Sequence, residues 1–279
     1  MNEKRPDWLN NAEQLYNNGL SYNKIASKVN HDRHLVSYWL RKIGYKSNER
    51  YLNNNRIIHS KYDYSYAENL FKKIDSEEKA YWLGFLYADG YISEKTNSIE
   101  LSLKEEDKNH VELFNKFLNI PGKDIRKKYK NMNGNIYISY CLSIVNKKIK
   151  NELIKLGCFP QKTFKLSFPN SNIVPDNLIN HFVRGYFDGD GCVTSSNSAI
   201  VSLEILGTTD FLSGYLNWIG IHHNKICGFF HSNIKRVIYG GKYAIYILDK
   251  MYNDATIYLK RKHEKYLYFR RLMKNCLNS

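Results

Sequence analysis

Long apolar runs are missing from this 279-residue chain. None approaches the ~20 residues that a helix needs to cross a bilayer. No apolar segment follows the polar start Met1-Asn2-Glu3-Lys4-Arg5-Pro6-Asp7. Neither a membrane span nor a secretory signal is therefore expected, which points to a cytoplasmic or nucleoid-associated protein. Cysteine is scarce. Cys141, Cys158, Cys192, Cys227 and Cys276 are scattered, odd in number and never spaced Cys-x-x-Cys. That argues against a disulfide framework and a zinc site, and for a reducing compartment. The nine histidines are dispersed too, and His222-His223 is the only close pair. Acidic residues are the third shortage, with 27 Asp and Glu against 42 Lys and Arg, a formal net charge of +15. Such an excess points to a polyanionic partner, most simply nucleic acid. At 43% hydrophobic and 25% charged residues, the chain is globular and long enough for more than one domain.

Two stretches organise the rest. Trp82-Leu83-Gly84-Phe85-Leu86-Tyr87-Ala88-Asp89-Gly90 and Val183-Arg184-Gly185-Tyr186-Phe187-Asp188-Gly189-Asp190-Gly191 are helix-like runs that end in Asp-Gly. Small residues stand four apart in each, Gly84 with Ala88 and Gly185 with Gly189. Residues so spaced share a helix face, and without bulky side chains two backbones can approach closely. The closing glycines suit a left-handed helix end. An aspartate in the last turn faces the negative helix end, at a cost of roughly 0.3–1 kcal/mol. Two such aspartates, 101 positions apart, imply that the charge is needed. If the helices pack together, Asp89 and Asp190 meet, and paired carboxylates call for a bridging cation of the Mg2+ kind.

Both stretches resemble the LAGLIDADG motif of the homing endonucleases, and the chain resembles a single-chain member with two motifs. The motif's third position falls on Gly84 and Gly185. Its eighth, the metal-binding acid, falls on Asp89 and Asp190. The sixth, often acidic, is Tyr87 in the first motif and Asp188 in the second, and Gly189 replaces the usual Ala. The resemblance covers roughly residues 76–275. It implies an α+β fold of two pseudo-symmetric αββαββα repeats (76–165 and 166–279) whose motif helices form the interface and whose sheets form a saddle over DNA. It also implies a monomer that cuts both strands of a long site in double-stranded DNA with Mg2+. Asp89 and Asp190 would bind the metal, helped by the carbonyls of Gly90 and Gly191, and one lysine near the end of each repeat, Lys162 and Lys262, would act in catalysis.

Periodicity along the chain gives the elements. In residues 1–46, helices are expected at Trp8–Asn17, Tyr22–Val29 and Arg33–Ile43, with Gly19 ending the first and Ser21 capping the second. Their order resembles a helix-turn-helix, whose last helix enters the major groove and offers Arg33, His34, Ser37, Tyr38 and Arg41 to DNA. Residues 47–75 are expected as a connector, with Tyr62, Tyr64 and Tyr66 on a short strand or extended arm that either lies along DNA or tethers two domains. In the first repeat the motif helix spans Ser76–Asp89. The strand 98–104 alternates, and its polar face carries Ser98, Glu100, Ser102 and Lys104. A helix over Asp107–Leu118 follows, then a basic hairpin turning at Asn133-Gly134 with Arg126, Lys128 and Lys130 on one face, and a helix over Lys147–Leu156. The second repeat is expected as a helix over Leu178–Asp190, a strand over Ala199–Ile205 presenting Ser202 and Glu204, a helix over Thr209–Ile219, strands at Lys225–Phe230 and Ala244–Leu248, and a last helix over Asn253–Arg271. Two-stranded ribbons fit the major groove, where Arg and Lys pair with guanine edges. The competing readings are a DNA-binding regulator or RNA-splicing cofactor that keeps the fold without cutting, and a transcription factor with a ligand or oligomer domain. Both motif acids disfavour the first, and the basic ribbons the second.

Overall fold

A computed structural model of the chain describes residues 5–18, 20–45, 62–196, 200–221, 225–228 and 234–277. The chain divides into two compact units, Met1–Lys61 and Tyr62–Ser279. In the smaller unit, capping chemistry sets the helix starts. α1 is Leu9–Asn17. α2, Tyr22–Val29, begins where the Ser21 hydroxyl accepts the Lys24 N–H, and it ends at left-handed Asn30, φ 52°. α3, Arg33–Lys42, begins where the Asp32 carboxylate accepts the N–H groups of His34 and Leu35 at 2.7 and 3.4 Å. Leu9, Ala12, Tyr16, Ile25, Ala26, Val36 and Leu40 form its own core. All three helices match expectation to within a residue or so. Gly19, the expected end of α1, lies outside the described residues.

Residues 62–75 correct the connector reading. Asp63 accepts the Ser65 N–H at 2.8 Å, which turns the chain instead of extending it. The short helix α4, Ala67–Leu70, follows. Tyr64, Ala67, Leu70, Phe71 and Ile74 are buried in the core of the larger unit. Their spacing is helical, and the alternating tyrosines hid it. Residues 47–61 of the expected connector lie outside the described residues.

The repeats then run in parallel. The first is α5 (Glu77–Asp89), β1 (Gly90–Ile92), β2 (Ser98–Lys104), α6 (Lys108–Leu118), β3 (Arg126–Met132), β4 (Asn135–Val145) and α7 (Lys147–Lys155). The second is α8 (Ile179–Asp190), β5 (Gly191–Ser196), β6 (Ile200–Gly207), α9 (Thr209–Ile219), β7 (Cys227–Gly228), β8 (Lys235–Gly240) and α10 (Gly241–Tyr252), with α11 (Lys260–Leu277) added after it. Each repeat holds a four-stranded antiparallel sheet, ordered β1-β2-β4-β3 and β5-β6-β8-β7. The expected αββαββα pattern is present twice. The β3–β4 hairpin turns at Asn133 and Gly134, φ 52° and 83°, the two left-handed residues that a tight two-residue hairpin requires.

Three expectations in the second repeat are corrected. Ala244–Leu248 belongs to helix α10, because Ala244, Ile247, Leu248 and Met251 are buried at helical spacing. The strand lies earlier, at Lys235–Gly240, with Val237 and Tyr239 buried. The final helix starts at Lys260 rather than Asn253, since Asp254 is left-handed at φ 56°. Ala199, Phe229 and Phe230 of the expected strands lie outside the described residues.

The two motif helices α5 and α8 pack at the centre. A Cβ on Gly84 would lie 2.0 Å from the Phe182 carbonyl oxygen, and one on Gly185 would lie 2.0 Å from that of Tyr81. Only hydrogen fits at either place. The closing glycines act differently from expectation. Gly90 and Gly191 are extended, φ −69° and −87°. They are required by space, because a Cβ on Gly90 would meet the Leu86 carbonyl oxygen at 2.6 Å, and one on Gly191 the Phe187 ring at 2.1 Å.

Candidate metal centre and nucleic-acid interface

Helix packing brings the last turns of α5 and α8 together, and the two aspartates with them. A Cβ on Gly189 would stand 3.3 Å from an Asp89 carboxylate oxygen. Protein packed around each carboxyl raises its pKa. For Asp190 the burial, reinforced by the Asp89 charge, pushes it up to about 6. For Asp89 burial also dominates, while Lys262 and Lys162 pull the other way. Asp89 still reaches solvent and Asp190 is half-buried, so the pair remains accessible. Among the described residues, no three His, Cys, Asp or Glu side chains converge to hold a metal ion.

The two lysines stand at these helix ends. Lys262, on the first turn of α11, is buried and donates to the carbonyls of Phe187 at 2.6 Å, Gly189 at 3.2 Å and Gly191 at 2.6 Å. All three of its N–H donors are used. Burial lowers its pKa to about 8, against the pull of the Asp188, Asp89 and Asp190 carboxylates. Lys162 begins a one-turn helix, Lys162–Phe164, and donates to the Gly90 carbonyl. It lines an open cleft of about 440 Å³ with Gly90, Tyr91, Ser93, Glu94 and Lys95. Each lysine offsets the negative end of a motif helix, and the Gly90 and Gly191 carbonyls named as metal ligands accept these ammonium protons.

A buried polar group between the repeats went unread in the sequence. Asp188 is fully buried and accepts from Tyr81 Oη at 2.8 Å, Tyr252 Oη at 2.5 Å and the Leu259 N–H at 2.7 Å. Arg184 is equally buried. It donates to the carbonyls of Ile257 and Met251, both at 2.8 Å, and to Glu77 Oε1 at 2.7 Å. Glu77 also accepts the Thr256 N–H at 2.8 Å. The signal was present: Arg184 and Asp188 stand four apart with only Gly185, Tyr186 and Phe187 between them, and charged groups set in such a stretch face a partner, not solvent.

Both sheets show the expected alternation. Ile99, Leu101 and Leu103 are buried, while Ser98, Glu100, Ser102 and Lys104 face outward. Register aligns Ser102 with Cys141 and Arg126, and Lys104 with Ser139 and Lys128, so Arg126, Lys128 and Lys130 share that face. The whole of β3 is exposed. Glu100 accepts from Lys128 at 3.1 Å and from Ser143 at 3.0 Å, and Lys104 pairs with Glu106. In the second sheet Ser202 and Glu204 are half-buried opposite Val201, Leu203 and Ile205. Glu204 pairs with Arg236 at 3.2 Å. Arg236 was missed because its strand was misplaced. Tyr91, Tyr129 and Tyr137, also missed, are exposed large side chains on β1, β3 and β4. In the smaller unit, Arg33, His34, Tyr38 and Arg41 are exposed and Ser37 is half-buried, while Val36 and Leu40 of the same helix are buried. No helix among the described residues is long and apolar enough to cross a membrane.

The paired motif helices, with a four-stranded sheet in each repeat, define the pseudo-symmetric α+β fold of the LAGLIDADG endonucleases. The homing endonuclease I-WcaI, solved bound to its DNA recognition sequence, shares it with a TM-score of 0.50 at 14% identity, over 78% of this chain and 93% of that one. The LAGLIDADG homing endonuclease I-LtrWI bound to target DNA gives a TM-score of 0.46 at 12% identity, over 75% and 92%. The meganuclease I-SmaMI bound to uncleavable DNA gives 0.46 at 11% identity, over 71% and 90%. At 14% identity the likeness to I-WcaI is one of fold. No family model matches the chain, and no curated protein sequence matches it.

Proposed function

We propose that this protein is a site-specific endonuclease that hydrolyses both strands of double-stranded DNA with a bound divalent cation, Mg2+. The observation that carries the reading is the convergence of Asp89 and Asp190 at the ends of two helices packed so closely that only glycine fits between them. Apposed carboxylates with raised pKa values are unfavourable when both are ionised, and the protein keeps them. The donor set fits a hard cation: carboxylate and carbonyl oxygens, with no imidazole or thiolate among the residues that would hold it. Asp89 and Asp190 would hold it, while the Gly90 and Gly191 carbonyls each already accept an ammonium proton, from Lys162 and Lys262. When bound, such a cation supplies Lewis-acid stabilisation and a more acidic water.

The protein's own groups do the rest. Lys162 and Lys262 place positive charge beside the acids, where it opposes charge building on a phosphate. Lys262 is held there by the Phe187, Gly189 and Gly191 carbonyls, which use all three of its N–H donors. Arg126, Lys128 and Lys130 on the first ribbon and Arg236 on the second sheet hold the phosphate backbone or guanine edges. DNA as partner is supported by the I-WcaI structure of like fold, described as bound to its DNA recognition sequence. In this reading α3 of the smaller unit adds a helix-turn-helix contact through Arg33, His34, Ser37, Tyr38 and Arg41, and one chain suffices, since it carries both acids.

The test uses a site recovered by selection from random DNA. The wild-type protein is expected to bind and cut it in Mg2+, while Asp89→Asn and Asp190→Asn bind it with near-normal affinity and leave it whole. Binding without cutting by the wild type as well would contradict the endonuclease and support a non-cleaving DNA- or RNA-binding role on the same fold.

A further inference from the structure

The two lysines at the motif-helix ends are held in very different ways. Lys262 sits on the first turn of an 18-residue helix. The start of that helix is fixed from below. Asp188 Oδ2 accepts the Leu259 N–H at 2.7 Å, and the Leu259 carbonyl accepts the N–H of Lys262 at 3.0 Å and of His263 at 3.1 Å. Asp188 is itself clamped by Tyr81 from α5 and Tyr252 from α10. One fully buried carboxylate thus ties the first repeat, the second repeat and the α11 start together, and Lys262 emerges one turn later on three carbonyls.

Among the described residues the first repeat has no such device. Tyr87 stands where the second motif has Asp188, and its hydroxyl is spent on the Leu156 carbonyl. Lys162 follows left-handed Gln161, φ 52°, on a single turn whose neighbours Thr163, Phe164 and Lys165 are exposed. Its ammonium meets one carbonyl, that of Gly90. A group already held in place gains rate because no ordering is needed as the reaction proceeds.

We propose that Asp188 is a positioning residue for Lys262, and that through it the second repeat breaks its DNA strand before the first. This rests on the endonuclease reading. The chemistry is the same on both strands: a water gives up a proton to solvent as its oxygen bonds to phosphorus, one phosphorus–oxygen ester bond breaks, and the leaving oxygen takes up a proton from solvent. Only the readiness of the lysine differs.

The experiment follows a supercoiled plasmid carrying the selected site, with each strand end-labelled, under single-turnover conditions in Mg2+. The wild type is expected to pass through a nicked intermediate broken in one preferred strand, with the two strand rates differing by about fivefold or more. Asp188→Asn is expected to slow the preferred strand about tenfold and the other less than about threefold, so that the preference collapses. A loss of fold stability alone would lower both rates together and leave their ratio unchanged. If Asp188→Asn does not fold, Tyr252→Phe, which removes one donor from Asp188 and keeps the Leu259 contact, is expected to slow the preferred strand selectively by about threefold. Equal strand rates in the wild type, or parallel losses in the folded variant, overturn the proposal and leave the endonuclease reading standing. Failure of the wild type to break either strand of a plasmid it binds overturns both.

Discussion

A Cβ on Gly84 would strike the carbonyl of Phe182, and a Cβ on Gly185 would strike that of Tyr81, each at 2.0 Å. Next nearest are the Tyr186 and Phe85 nitrogens, each at 2.9 Å. In α5 and α6, adding 101 to a first-repeat number gives its second-repeat counterpart in α8 and α9, and each of these contacts maps onto the other. Set against that backbone symmetry, the side chains diverge. Leu83 is matched by Arg184, Tyr87 by Asp188 and His110 by Phe211, and all six are buried. The comparison teaches that close packing of small residues builds the shared scaffold, while polar substitutions within it give the halves different contacts. Symmetric changes should therefore act alike in both repeats, and changes to the polar set should not.

The largest expected effect tests the symmetry. Asp89→Asn and Asp190→Asn should each lower the cleavage rate by about 10³-fold, roughly 4 kcal/mol of barrier, measured on the selected site. A large loss from only one of them would break the equivalence of the two acids.

Next comes the clearest asymmetry in stability. Arg184→Met takes the guanidinium from Glu77, which keeps the Thr256 N–H, and from the Met251 and Ile257 carbonyls, and is expected to cost about 3–5 kcal/mol, whereas Leu83→Met at the matching place should cost less than about 1.5 kcal/mol. Urea unfolding at constant m-value would measure both. The glycines return to symmetry, with Gly84→Ala and Gly185→Ala each expected to cost about 3 kcal/mol or more and to agree closely, because each Cβ meets backbone.

His110 gives a pH effect confined to the first repeat. It is buried and within 2.9 Å of Tyr81 Oη, and burial, helped by the Arg261 charge, lowers its pKa from 6.5 to about 3. The unfolded chain takes up this proton below about pH 6.5 and the folded chain does not until about pH 3. Stability from neutral His110 is therefore complete above pH 6.5 and declines as pH falls towards 3, by at most about 1.4 kcal/mol per pH unit. His110→Phe copies the second repeat and should flatten the unfolding midpoint over that range. An unchanged slope would mean that other groups govern the acid limb.

The smallest effect concerns the ribbons. Arg126→Gln and Lys130→Gln should each reduce the salt dependence of DNA binding by about one unit of log–log slope. Lys128→Gln should do less, since Lys128 is already paired with Glu100.

The scaffold was legible in the sequence because its signals are local. Two Asp-Gly-terminated helices, a seven-residue alternating strand and an Asn-Gly turn are each contained in under fifteen residues. The α10 error was also local. The five residues Ala244–Leu248 fit a strand, and only the window extended to Met251 and Tyr252 shows the helical period. The polar set could not be read this way. The partners of Asp188 lie 107, 64 and 71 positions away, at Tyr81, Tyr252 and Leu259, so its role exists only after both repeats and α11 have assembled. The closing glycines show the same limit. Their identity was informative, but the reason, contact with Leu86 and Phe187 and not a left-handed turn, is a matter of packing.

Cleavage of a large random-site plasmid library tests the central claim most directly, run with the wild type in Mg2+, the wild type in Ca2+, and the Asp89→Asn/Asp190→Asn double variant in Mg2+. The predicted result is double-strand breaks enriched at one long site for the wild type in Mg2+ alone. Selective retention of one site in all three arms with no breaks in any would contradict it, and Asp89 and Asp190 would then be parts of a binding platform instead of a cutting one.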